Sequence, residues 1–387
     1  MTLYLDSAAT TLLSPKDKQD YLYYIDKFEY NPSSIYKGGK ISRIALEEGR
    51  KRLATKIGVF TDDIIFTSGG TEGNSIIIQG FFNNLPSNQE GVLITTNIEH
   101  PSVLNVALHI EHTKKNVHVY YLQVDNRGCI DYRDLISTLK TEIDIDKVNP
   151  NNILVSIQWA NSEIGTCQNI PLIGEICKKY GVFFHSDAVQ FFPHHLIGKE
   201  IEFLDAFTVS GHKFNSVKGT GFIYVNKRIR NHLSPILFGG NQENGLRPGT
   251  ENVASWIYMV QKAMEIKDEF MEPIDSAFEK LEEMLVDNHI KYHINGILGI
   301  PILNITFPGI SASNLIALLS EKDIYVSAGS ACHSYVQEPS HVLKAIGLSD
   351  EEAGNTIRIC WNSNIKHEEF DRFIEELIFN IKLLKEE

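Results

Sequence analysis

The chain has 387 residues, 43% of them hydrophobic, with 49 acidic side chains against 36 basic ones and a formal net charge of −13. That length and apolar fraction support one large domain and a smaller one, each with its own core, and exclude a small accessory peptide. The acidic balance argues against stable nucleic-acid binding, and neither the N-terminus, Met1-Thr-Leu-Tyr-Leu-Asp6, nor any apolar run resembles a leader or a membrane span, so a cytoplasmic protein with no membrane partner is expected.

Between about residues 60 and 225, short β-branched runs alternate with helical patterns. The runs are 64–67, 92–96, 117–122, 153–158, 182–185, 206–210 and 221–225. Continuous apolar strands separated by helices predict an α/β fold with a mainly parallel seven-stranded sheet covered on both faces. In such sheets the ligand lies beyond the carboxyl ends of the strands. After a Gly- and Asn-rich loop from Pro235 to Thr250, residues 252–287 read as one or two long helices leading to a second unit. There, 302–307, 324–327 and 357–361 read as strands. Phe370, Phe373, Ile374, Leu377, Ile378 and Ile381, spaced by three and four, predict a helix packed on that smaller sheet.

The strand ends carry the chemistry. The first run leads into Phe66-Thr-Ser-Gly-Gly-Thr-Glu-Gly-Asn74, a glycine turn entering a helix, whose backbone N–H groups suit an anion such as phosphate. Glu99-His100-Pro101-Ser102 places an imidazole after the second run, able to stack on a planar ring or move a proton. Asn161 follows the fourth run and offers an amide. Asp187, after the fifth, is a carboxylate in an apolar stretch that needs a cationic partner, and a pyridinium nitrogen is such a partner. The sixth run ends in Ser210-Gly-His-Lys213, where a lysine beside a histidine has the setting of an imine-forming residue.

Five cysteines, 129, 167, 177, 332 and 360, contain no Cys-x-x-Cys pair and fit neither a disulfide framework nor a zinc ribbon. Cys177 reads as core. Cys332 lies instead in a small, polar stretch from Ser327 to Pro339 that reads as an exposed loop, with His333 beside it.

Taken together these motifs resemble the cysteine desulfurases, a branch of the class V aminotransferases with the fold type I pyridoxal phosphate architecture. Further matches are Tyr4-Leu-Asp-Ser-Ala-Ala-Thr-Thr11, Asn31-Pro-Ser-Ser34, Ala160-Asn-Ser-Glu-Ile-Gly165, Asp187-Ala-Val-Gln190, Gly239-Gly-Asn-Gln-Glu243, Arg247-Pro-Gly-Thr250 and Ser327-Ala-Gly-Ser-Ala-Cys332, with Ile357-Arg358-Ile359 near the end. The last cysteine motif matches the branch with a longer, mobile loop. Departures at Ser7, Ala8, Ser162 and 215–217 remove no proposed catalytic group.

The resemblance implies pyridoxal 5′-phosphate bound through an imine to Lys213, with His100 stacked on its ring and active in proton transfer. It implies Asp187 on the pyridine nitrogen, Asn161 and Gln190 on the ring hydroxyl, and phosphate held by Gly70, Thr71, Ser210 and His212, with Thr250 reaching in from the partner of a homodimer. Arg358, together with Asn161, would bind the substrate, the guanidinium taking its carboxylate in a bidentate contact. Cys332 would accept sulfur from L-cysteine as a persulfide, leaving L-alanine, and pass it to an iron–sulfur scaffold or a tRNA-thiolation protein. No metal site is expected in the isolated chain, and Cys332 is a candidate cluster ligand only in complex with a scaffold. The implied domains are a large cofactor-binding one, 15–255, and a small one of 1–14 and 256–387 carrying the cysteine loop, 327–339. The alternatives are an aminotransferase, β-lyase or selenocysteine lyase on the same cofactor, and a non-enzymatic sulfur relay.

Overall fold

Seven apolar runs become the strands of one sheet. The computed structural model describes residues 2–267, 272–328, 339–361 and 365–386. In chain order the first part contains β1 (Leu3–Tyr4), α1 (Pro15–Lys27), α2 (Lys37–Ile57), β2 (Ile64–Thr67), α3 (Gly70–Asn83), β3 (Gly91–Thr96), α4 (Pro101–Thr113), β4 (Val117–Leu122) and α5 (Tyr132–Lys140). It continues through β5 (Ile153–Ser156), α6 (Ile170–Tyr180), β6 (Phe183–Asp187), β7 (Ala206–Ser210), β8 (Gly221–Val225), α7 (Lys227–Arg230) and α8 (Val253–Glu265).

The sheet order is β2-β8-β7-β6-β5-β3-β4, and β8 alone runs antiparallel to both of its neighbours. Alternation along the strands divides the apolar side chains between two faces. Ile64, Phe66, Ile94, Val155, Phe184 and Phe207 join one core with residues of α2, α5, α6 and α8, while Ile65, Leu93, Leu154, Phe183 and Ile223 join another with α3 and α4. Helix limits follow local chemistry: Ser14 and Asp17 form a capping box on α1, and α2 and α6 stop at Gly58 and Gly181 in left-handed conformations.

The remaining elements are α9 (Glu272–Asp287), β9 (His293–Asn295), β10 (Ile302–Thr306), α10 (Ala312–Glu321), β11 (Ile324–Tyr325), α11 (His341–Ala345), α12 (Asp350–Gly354), β12 (Thr356–Cys360) and α13 (His367–Glu386). Apart from α11 and α12, whose Val342, Leu343 and Ala353 cluster with Ile98 and Ile164, they surround a separate core that includes Leu3, Leu5, Ile305, Leu315, Ile359, Phe373 and Leu377. The three strands expected here do not form one sheet. The smaller sheet is β12-β10-β9, and β11 pairs in parallel with β1 from the N-terminus. Backbone bridges Asp6–Cys360 and Ser327–Arg358 tie that two-stranded ladder to β12. The segment after β1 then reaches the carboxyl end of β7, where the Thr11 N–H donates to the His212 carbonyl.

Candidate active site

The carboxyl ends of β2, β6 and β7 border a cavity of about 620 Å³, within the size range of small-ligand sites. At one end, the turn after β2 enters α3 through Gly69, held at φ +148°, a region open to glycine. No side chain caps α3, so the N–H groups of its first turn are available to an anion. A Cβ on Gly69 would stand 3.3 Å from Ser210 Oγ, and one on Gly70 2.8 Å from Val189 Cγ2; either would fill the cradle. Gly221 must also lack a side chain, because its Cβ would come within 2.6 Å of Gly69 Cα. His212 completes this end, its Nδ1 3.1 Å from Thr10 Oγ1. Burial, followed by the charges of Lys213 and Lys218, lowers its pKa to about 4, so the ring is neutral at pH 7.

Asp187 closes β6, and its buried carboxylate accepts Asn74 Nδ2 at 2.7 Å and the Val189 N–H at 3.0 Å. Gln190, one turn on, donates to the carbonyl of Ala8 at 2.9 Å. Lys213 Nζ donates to Ala8 O at 2.5 Å and Ala9 O at 2.9 Å. His100 caps α4, with Nδ1 3.0 Å from the Ser102 N–H and 2.8 Å from Ser102 Oγ. Its pKa is lowered, first by burial, against the opposing charge of Asp187 and with Lys213 and His341 adding to the shift. The adjacent Glu99 is fully buried, accepts the Gln158 N–H and Thr96 Oγ1, and is pushed up to about 8 by burial.

Opposite the anion cradle, Arg358 projects from β12, buried, with Nη2 2.6 Å from Asp6 Oδ1 and Nη1 2.7 Å from Ser162 O. Cys332 and His333 lie outside the described residues. The flanks of that stretch are anchored at the cavity wall. Ser327 exchanges backbone hydrogen bonds with Arg358, Ser340 Oγ donates to Glu163 Oε2 at 2.5 Å, and His341 Nε2 meets Glu99 O at 2.9 Å.

The fold therefore gathers Gly70, Thr71, His100, Asp187, Gln190, Ser210, His212, Lys213 and Arg358 around one cavity. Asn161 and Thr250 are not on its wall. Asn161 braces the adjoining turn: Nδ2 donates to Ile98 O, and Oδ1 accepts the N–H groups of Glu163 and Ile164. This Asx turn uses one of the two amide hydrogens and sets the Ser162 carbonyl against Arg358. Thr250 is exposed on the surface of the chain.

Sequence reasoning missed Asp6 as the partner of Arg358, Asn74 and Ser102 behind Asp187 and His100, and His341. A signal for Asn74 was present, since it follows Gly70 and Thr71 at helical spacing and so returns to the same face. The donor set suits pyridoxal phosphate. An uncapped helix start and glycine cradle fit a phosphate, a buried carboxylate fits a protonated ring nitrogen, and a lysine stands between them in the cavity wall.

The model of the class-V aminotransferase family matches residues 3–373. The chain is 36% identical over 380 residues to cysteine desulfurase IscS of Methanosarcina thermophila, covering 96% of this chain and 90% of that one. The chain belongs to the cysteine desulfurases of the class-V aminotransferase family. A solved NifS-like protein superposes with a TM-score of 0.86 at 30% identity, over 99% of this chain and all of its own (100%). SspA, solved in complex with cysteine, does so with a TM-score of 0.76 at 29% identity, over 93% and 98% of the two chains. Membership gives the cavity its context, and no helix among the described residues is long and apolar enough to cross a membrane.

Proposed function

We propose that this protein is a pyridoxal-phosphate-dependent cysteine desulfurase that converts L-cysteine to L-alanine and collects the sulfur on Cys332 as a persulfide. The observation that carries the reading is the convergence of Lys213, Asp187, the Gly69–Gly70 cradle and Arg358 on one cavity, with the flanks of the Cys332 stretch fixed to its wall. Bound pyridoxal phosphate supplies an electron sink for charge developing on the substrate's carbon atoms.

Residues of this chain do the rest. The α3 N-terminus, Ser210 and His212 hold phosphate, and Asp187 holds a protonated ring nitrogen as an acceptor fixed by Asn74 and Val189. Arg358 binds the substrate carboxylate from a position fixed by Asp6 and Ser162. Lys213 holds or returns a proton at Nζ, which is positioned by the hydrogen bonds it donates to the Ala8 and Ala9 carbonyls. The Cys332 thiolate attacks the substrate sulfur: an S–S bond forms, the C–S bond breaks with its electron pair staying on carbon, and that carbon takes a proton to give alanine. The sum is L-cysteine plus a thiol giving L-alanine plus a persulfide, with carbon reduced and sulfur oxidised and no outside reductant.

The same reading makes the protein a cytoplasmic homodimer, in which Thr250 serves the partner's site and an iron–sulfur scaffold or tRNA-thiolation protein receives the sulfur. Four free cysteines among the described residues agree with a reducing compartment. Exposed Ile35, Ile44 and Phe238 supply apolar surface suited to a protein interface. The test is alanine and persulfide output from L-cysteine, with and without Cys332→Ala. Loss of both products with retained cofactor absorbance is expected, whereas undiminished alanine from the variant would sink the proposed sulfur step and favour a β-lyase.

A further inference from the structure

Asn74 lies in the second turn of α3, fully buried, and spends both hydrogens of its amide. One goes to Asp187 Oδ2 at 2.7 Å and the other to Ser102 Oγ at 2.8 Å, while Oδ1 has no hydrogen-bond partner among the described residues. The orientation is forced, because an ionised carboxylate only accepts and Oδ1 cannot face it. Ser102 Oγ, already accepting from Asn74, turns its own proton to His100 Nδ1, 2.8 Å away. The backbone N–H of Ser102 points at the same nitrogen from 3.0 Å. Two donors on Nδ1 leave Nε2 as the nitrogen that carries hydrogen in the neutral ring.

We propose that Asn74 and Ser102 are positioning residues: one amide, oriented by the Asp187 carboxylate, turns the Ser102 hydroxyl proton onto His100 Nδ1, where it joins the Ser102 backbone N–H in keeping the ring neutral and a donor at Nε2. The donors diverge from Asn74, one N–H going to Asp187 and the other to Ser102, whose hydroxyl proton continues to His100. The same side chain that holds the carboxylate in place therefore also aims the Ser102 hydroxyl at the histidine.

The inference rests on the desulfurase reading only for its activity readout. The structural readout is two-bond 1H–15N correlation NMR of 15N-histidine-labelled, cofactor-loaded protein, with His100→Asn used to assign the signal. The wild type is expected to show Nε2–H and an unprotonated, hydrogen-bonded Nδ1. Asn74→Leu and Ser102→Ala each remove one donor from the path, and each should raise the His100 titration midpoint by about one pH unit. The double variant should match the singles, and Ser102→Thr should restore the wild-type pattern. Asp187, Lys213 and His341 are the charged or titratable groups whose fields reach His100, and Glu99 adjoins it, so the midpoints are compared in that common background. Turnover should show about a tenfold fall in kcat with little change in KM. The backbone N–H of Ser102 keeps the tautomer in every variant, so an unchanged His100 midpoint in both single variants, or additive shifts in the double, would overturn the proposal. Should Asn74→Leu fail to fold, Ser102→Ala alone decides, and no alanine from a wild type with the expected NMR pattern would count against the desulfurase reading instead.

Discussion

Removing the carboxylate of Glu243 should cost the protein about 3–5 kcal/mol, the range for leaving one member of a buried ion pair alone. Arg50, on α2, meets Glu243 with two hydrogen bonds of 2.7 and 2.6 Å, and the pair's side chains are 9% and 1% exposed. Glu243 Oε2 also accepts the Phe66 N–H at 2.7 Å, and Arg50 lies 4.8 Å from the centre of the Phe66 ring. Glu243→Ala therefore takes the acceptor from the Phe66 N–H of the first large-sheet strand and leaves the Arg50 guanidinium with the Ile64 carbonyl and the exposed Glu47 in place of a buried counter-charge. The two losses share partners and do not add. Glu243 and Asn244 hold left-handed backbone angles, φ +48° and +56°, so the ion pair also keeps a strained turn in the loop that leads to Thr250. The assay is urea unfolding followed by tryptophan fluorescence, since Trp256 stacks on Phe66 at 5.2 Å and reports this region. With an m-value of about 3 kcal/mol/M the midpoint should fall by about 1–1.7 M. Arg50→Met/Glu243→Gln, which removes both charges and keeps an acceptor for Phe66, should be less destabilised than Glu243→Ala. A midpoint shift below about 0.3 M for Glu243→Ala, or a double variant worse than the single, would refute the account.

Gly70→Ala should preserve the fold by circular dichroism yet weaken cofactor retention about tenfold or more in a dialysis series read by absorbance, because the new methyl stands 2.8 Å from Val189 Cγ2 in the anion cradle. Burial holds His185 near 3, and burial with Lys213 and Lys218 holds His212 near 4, both below the ordinary histidine value of 6.5. The unfolded chain then binds more protons in that window, so the stability these rings contribute is present above about pH 6.5 and lost as pH falls toward 4. His185→Gln should flatten that acid limb in urea midpoints measured from pH 7 to 5. Glu99 has the opposite sign: burial raises it from 4.5 to about 8, so the folded state binds the extra proton and stability declines as pH rises through 8. Glu99→Gln should remove the decline between pH 6.5 and 8.5, and an unchanged alkaline limb would contradict the protonated carboxyl.

The large sheet was legible because all its strands except the edge strand β4 are buried along their whole length and read as apolar runs, and cavity residues stand at or just beyond the carboxyl ends of β2, β3, β5, β6 and β7. Even the antiparallel placement of β8 leaves that pattern intact, since direction leaves no mark on an apolar run. The smaller sheet was less legible for a physical reason. β1 and β11 contribute two residues each, too few for a period-two pattern, and their pairing joins opposite ends of the chain. Asn161 shows a different limit. A polar residue at a strand end can face a ligand, brace its own turn or do both, and the brace depends on the Ile98 carbonyl, far away in sequence. Asp6 was in plain view within Tyr4–Thr11, but its role requires knowing that β1 lies beside β12.

That segment explains why two cores make one site. Leu3 and Leu5 are buried among the side chains of the smaller core, and the six residues that follow distribute their polar groups over the cavity. Asp6 holds Arg358, the Ala8 carbonyl receives both Gln190 and Lys213, and Ala9 receives Lys213 again. Thr10 meets the His212 ring, and Thr11 gives both its N–H and its hydroxyl to the His212 carbonyl. A shift of β1 along β11 would move the substrate end through Arg358 and the anion end through His212 at once. Burial of two leucines thus sets the register of groups that neither leucine touches. Lys213 is held in the cavity wall by two alanine carbonyls, positions whose side chains give no hint of the task.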